Sequence, residues 1–200
     1  MLSLLFLTKK LKMILTDKWI KEQDGMIEPF IDHTVREING KKACSFGLSS
    51  AGYDLRLSDK VLIKAKNDIA ADDPKDSSVV QTKELKVFED SKGKYVIVPT
   101  GAAWTSSIEY IRMPKNAVAL LQPKSSYARC GISIINPLIE PGWCGNMTIS
   151  FINANPNPVK LYIGEGFAQM IFYSIDEVEL SYSERGGLYQ DTKGIAFAKV

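Results

Sequence analysis

The chain has 200 residues, a formal net charge of +2, 45% hydrophobic and 24% charged residues. That length suits one domain with its own core, and the near-neutral balance argues against a general nucleic-acid binder, which would be strongly basic. Three scattered cysteines, Cys44, Cys130 and Cys144, exclude a disulfide framework and fit a reducing cytoplasm.

No apolar run reaches the length of a membrane-spanning helix. The opening MLSLLFLTKKLK has a short apolar stretch, lysines behind it rather than ahead of it, and no small-residue cleavage site, which is unlike a secretory signal. Residues 1–12 read as an extension or an alternative start ahead of Met13, and 13–200 as a single domain. In LTDKWIKEQDGMIE a Thr-Asp cap precedes apolar residues at helical spacing, which predicts one short helix over 17–23. GYDLRLSDKVLIKAK alternates like a strand pair, and the polar, charged stretch from Asn67 to Gly93 reads as a surface excursion. Beyond it come short apolar or alternating runs cut by Pro, Gly and Asn. The pattern predicts a mainly β domain, a barrel or sandwich with a short N-terminal helix. The Gly-rich, polar tail SERGGLYQDTKGIAFAKV is a segment able to order over a ligand.

Several chemistries are excluded by residue type. The only histidine is His33, better suited to a surface or capping role than to a catalytic triad, and no G-x-S-x-G elbow occurs. Cys130 and Cys144 are too isolated for the ligand set of a zinc deaminase. Neither a P-loop nor a dinucleotide-binding glycine fingerprint is present. Hydrolysis would have to use carboxylate, hydroxyl, Arg or Lys. PKSSYARCG gathers Lys124, Ser125, Ser126 and Arg129 around a turn, the hydroxyls and cations that phosphate oxygens need; a plain polar turn is the competing reading.

The segments SSAGYDLRL, PKSSYARCGI, IEPGWCGNMTISFIN, GEGFAQMIFY and GLYQDTKGI follow one another in that order. This set resembles the dCTP deaminase and trimeric dUTPase superfamily, from about Met13 to the C-terminus. The resemblance implies a distorted β-barrel of the dUTPase-like, β-clip kind, a homotrimer with active sites between subunits, and a deoxynucleoside triphosphate that brings its own Mg²⁺. It implies no zinc, no nucleic acid and no membrane. Carried over residue by residue, Lys124, Ser125, Ser126 and Gln169 would serve the phosphates. Arg129 would fall at the catalytic arginine, and Trp143 would lie near the deoxyribose or simply pack in the core. Asp54 would support the metal indirectly or satisfy turn amides. Asn136 is the candidate base contact, and Tyr189 and Lys193 belong to the tail motif.

The two activities of the superfamily need different groups. Cytosine deamination uses a Glu on a strand written T-L-E-F, where this chain reads TISF and holds Ser150. A serine hydroxyl cannot serve as a base near neutral pH. ISFIN instead resembles the dUTPase strand, and Glu140 stands where dUTPases keep the acid that activates water. The expectation from these residues is a dUTP diphosphatase with Glu140, Arg129 and Ser125 as catalytic groups. The alternatives are a dCTP deaminase with its base elsewhere and a dNTP-binding regulator without turnover. Three departures bear on this choice: the segment from Gly131 to Glu140 is short, Thr192 replaces the tail Gln of deaminases, and the tail lacks the Gly-rich ending of dUTPases.

Overall fold

The computed structural model describes residues 13–65, 71–76 and 80–199. The expectation for residues 1–12 lies outside them. The predicted helix is α1, Asp17–Glu22, seated by the fully buried Ile20. Among the described residues the only other α-helix is the single turn α2, Ser125–Ala128, and the remainder is built on strands.

The strands are β1 (Ile14–Leu15), β2 (Ile27–Glu28), β3 (Thr34–Ile38), β4 (Lys41–Ser49), β5 (Gly52–Lys64), β6 (Thr82–Glu84), β7 (Phe88–Asp90), β8 (Gly93–Val98), β9 (Gly101–Arg112), β10 (Ala117–Pro123), β11 (Ile132–Ile134), β12 (Cys144–Asn153), β13 (Val159–Tyr162) and β14 (Gly166–Ser174). Eleven of them form one curled half-barrel sheet with the path β1-β14-β5-β9-β12-β11, and β13-β8-β7 form a smaller sheet. The mainly β expectation holds.

Two expectations for local structure are corrected. GYDLRLSDKVLIK is one strand, not a pair. The half around Tyr53–Leu55 pairs with β14 and β4, and the half from Val61 pairs with β9 and β6, with the register shifting between Leu57 and Val61. The irregularity bends the strand, and each straight half reads as a strand of its own. The polar stretch before Gly93 also contributes β6 and β7, whose short, exposed segments lack an apolar run to mark them.

The core lies between the curled sheet and its flanks. Phe167 packs edge-on against Phe151 at 5.0 Å and against Tyr127 at 5.5 Å between ring centroids. Along β12 burial alternates residue by residue, so Met147, Ile149 and Phe151 enter the core while Asn146, Thr148 and Ser150 face outward. His33 is exposed and bonded to Asp32 at 2.7 Å, in keeping with a surface role.

Candidate active site

The outward face of β12 forms one wall of a cavity of about 500 Å³. Asn136, Glu140, Trp143, Ser150 and Tyr189 all line it, and so do Thr148, Tyr182, Thr192 and Phe197. Ser150 stands directly across from Trp104 of β9, whose indole meets Phe197 of the tail at 5.5 Å. Glu140 is exposed at the cavity rim and is the only carboxylate among the described residues that line it. The Asn136 carboxamide is committed to β12: Nδ2 donates to the Thr148 carbonyl at 2.6 Å, and Oδ1 accepts from the Ser150 amide at 3.0 Å. It braces the wall instead of standing free toward a base.

The tail closes this cavity from the side. Trp143 Nε1 donates to the Tyr189 carbonyl at 2.9 Å, the Asn146 amide to the Thr192 carbonyl at 2.8 Å, and the Ala196 amide to Thr148 Oγ1 at 2.9 Å. Thr192 turns its hydroxyl back onto the Tyr189 carbonyl, and Lys193 is exposed. These bonds tie the tail to β12 and to Trp143.

Lys124, Ser125 and Ser126 line a second cavity, of about 480 Å³, together with Lys42, Lys92 and Glu165. Lys124 caps α2, and its amide is held by the Phe167 carbonyl of β14 at 2.9 Å. After α2 the chain turns at Gly131, whose φ of +84° is open to glycine, and where a Cβ would meet the Asn155 amide at 3.0 Å. Gly166 brings β14 so close to β4 that a Cβ would strike the Ser45 carbonyl. That contact seats Glu165 beside β4, where its Oε2 accepts the Cys44 amide at 2.6 Å. Burial pushes the Glu165 carboxyl up from its ordinary range, against the pull of the Cys44 amide.

Asp54 lies beneath Lys124. It is 4% exposed, and its Oδ2 accepts Lys124 Nζ at 2.5 Å. Burial raises its pKa, opposed by the lysine. Gln169, its partner across β5 and β14, gives Nε2 to Ser49 Oγ at 3.3 Å. Arg129 is exposed at the end of α2, with Nη1 3.5 Å from the Ser125 carbonyl. Neither Arg129 nor Gln169 lines either cavity among the described residues. Sequence reasoning missed Lys42 and Lys92, which come from distant hairpins, and Tyr182, which follows the last strand; none carries a spacing signal. Glu165 falls within GEGFAQMIFY, where nothing in its spacing marks it.

A family model described as dCTP deaminase-like matches residues 14–175. The chain belongs to the dCTP deaminase-like family. Curated relatives agree along the whole length. A dCTP deaminase of Cupriavidus metallidurans is 42% identical over 93% of this chain and 98% of its own, and one of Ralstonia pickettii is 41% identical over the same shares. A crystal structure of 2'-deoxycytidine 5'-triphosphate deaminase from Agrobacterium tumefaciens shares the fold at a TM-score of 0.55 and 18% identity. It matches 88% of this chain and 52% of its own, so the chain spans about half the length of that one.

These relatives correct the dUTP diphosphatase expectation. It rested on one strand, ISFIN, with Ser150 where the deaminase pattern has Glu. The likeness to proteins named dCTP deaminase runs through 191 aligned residues. Five successive residues of one strand are a local pattern, and 42% identity over 93% of the chain outweighs it. Among the described residues no helix is long and apolar enough to cross a membrane.

Proposed function

We propose that the chain acts on dCTP in the cytoplasm, releasing ammonia and leaving dUTP. The observation that carries this reading is the 42% identity to dCTP deaminases over 93% of the chain. The two cavities support it chemically. The one with Lys42, Lys92, Lys124, Ser125 and Ser126 supplies the cations and hydroxyls that the oxygens of an Mg²⁺-bound triphosphate require. The one along β12 is partly apolar, as a pyrimidine and a deoxyribose require, with Trp143 on its wall.

The cavities have no lining residue in common. In a homotrimer with sites between neighbours, one nucleotide would take its phosphates to the Lys/Ser cavity of one subunit and its base to the β12 cavity of the next. The apolar Ile135 and Leu138, 55% and 49% exposed beside the β12 cavity, suit coverage by such a neighbour.

Deamination needs a group that takes a proton from the water attacking C4 and passes it to the departing nitrogen. Ser150 cannot do so. Glu140 is the acid at the rim of the base-side cavity and is assigned that work, with Arg129 at the catalytic arginine place, reached from the adjacent subunit. Ser150 also favours a second reading, in which the chain binds the nucleotide without turnover. Incubation with dCTP and Mg²⁺, with ammonia and dUTP measured, tests the first reading, and Glu140→Gln should abolish the product. Tight dCTP binding in calorimetry without ammonia release would replace it with the second.

A further inference from the structure

The charge arrangement under the Lys/Ser cavity has a feature that phosphate binding alone does not explain. An anion site has a carboxylate directly behind its lysine. Asp54 is almost fully buried, it lies on β5 two strands away from β10, and Lys124 reaches across β14 to meet it at 2.5 Å. The Lys124 side chain is itself only 14% exposed. A lysine on the surface has four rotatable bonds and a hydrated head that wanders. Here the backbone amide is fixed by Phe167, the stem is covered, and the ammonium is pinned at its far side. An ammonium has three donors. One is given to Asp54, and two remain for the cavity that Lys124 lines with Ser125 and Ser126.

We infer that Asp54 is a positioning residue for the triphosphate site, acting through Lys124 and not through a metal. Its carboxylate fixes the ammonium so that the free N–H groups and the two serine hydroxyls converge on one phosphate group. Ordering the lysine before the ligand arrives removes an entropy cost from binding. The donor chemistry agrees: a carboxylate whose near oxygen is taken by an ammonium, in a pocket 4% exposed, is poorly placed to hold the water shell of a divalent cation.

This inference rests on the phosphate cradle proposed above, and it predicts the opposite sign from simple electrostatics. Removing a negative charge near an anion site should tighten anion binding by Coulomb's law. Loss of a positioner should weaken it. The test is calorimetric titration of the intact protein with inorganic tripolyphosphate, and separately with deoxycytidine, for wild type, D54N, K124M and the double variant. Expected is a roughly tenfold loss of tripolyphosphate affinity in D54N, the scale of one well-directed charge-assisted hydrogen bond, with deoxycytidine binding unmoved. The double variant should bind no more weakly than K124M alone, because Asp54 acts only through the lysine. A structural role would weaken both ligands together. If D54N binds tripolyphosphate as tightly as wild type or more tightly, or if the two losses add, the inference is overturned. If the wild type does not bind tripolyphosphate, the phosphate-cradle reading falls and takes the inference with it. Should D54N fold poorly, K124R provides the second arm: a guanidinium is longer and planar and turns its fork to the Asp54 carboxylate, so its donors no longer meet the phosphate where the ammonium's do, and it should lose tripolyphosphate affinity while keeping its charge.

Discussion

Replacing Asn136 tests whether its carboxamide is wall or probe. In Asn136→Ala two hydrogen bonds disappear, the 2.6 Å one to the Thr148 carbonyl and the 3.0 Å one from the Ser150 amide. At about 0.5–1.5 kcal/mol net for each, the loss is about 1–3 kcal/mol, toward the lower end because half-buried Ser150 can recruit water. Asn136→Asp keeps the acceptor for Ser150 and sets a carboxylate oxygen against the Thr148 carbonyl, two acceptors at hydrogen-bond distance. At pH 7 it should therefore be at least as destabilised as the alanine variant. Below the carboxyl pKa the protonated acid regains a donor for Thr148, so its stability should recover as the pH falls toward 4. Urea denaturation at fixed protein concentration reads both effects as midpoint shifts. An aspartate variant as stable as wild type at pH 7, with altered preference between cytosine and uracil nucleotides, would refute the bracing role and return Asn136 to the base.

Ser150→Glu should raise ammonia release from dCTP by about 10²-fold or more, the usual contribution of a placed general base; a discontinuous ammonia assay reads it. Tyr127→Phe removes the hydroxyl that accepts the Tyr162 amide at 2.9 Å, and should cost about 1–3 kcal/mol in urea denaturation because the amide is left unpaired in the interior. Trp143→Phe loses the indole bond to the Tyr189 carbonyl, worth about 1 kcal/mol, so limited proteolysis within the tail should run about fivefold faster. Glu165 has its pKa raised by burial. The stabilisation linked to its protonation is full below the ordinary carboxyl value and is lost as pH rises through the elevated one. Glu165→Gln should thus be more stable than wild type at neutral pH, with the advantage fading toward pH 4 in pH-dependent thermal unfolding.

The helix at Asp17–Glu22 and the alternation of β12 were legible because each depends on neighbours in sequence: a cap, an apolar spacing, a period of two. Lys124, Ser125 and Ser126 were legible as a cluster for the same reason. The pairing of Lys124 with Asp54 was not, since it joins residues brought together by strand order and by nothing in their spacing. The bend within β5 hid one strand as two, because the shift between Leu57 and Val61 breaks the alternation that marks a strand. Ser150 was given more weight than one position can bear against 42% identity over 93% of the chain. Lys42 and Lys92 join the cavity of Lys124, Ser125 and Ser126 from hairpins whose local sequence is ordinary surface.

The outer edge of β12 is closed by three unlike covers. Backbone of the tail serves Cys144 and Asn146, the Asn136 side chain serves the Thr148 carbonyl and the Ser150 amide, and β11 with the following Ile135 amide serves the Ser150 carbonyl and the residues from Phe151 to Asn153. An unpaired strand edge is a template for any other chain that meets it. Swinging the tail away to admit or release a nucleotide would therefore do more than open a cavity. It would leave the first residues of β12 as bare donors and acceptors at the surface, and the protein would be most prone to self-association while its site stands open. A bound nucleotide that holds the tail down would then act as an insulator of the sheet, and preparations stored with ligand should scatter less light over time than those stored without it.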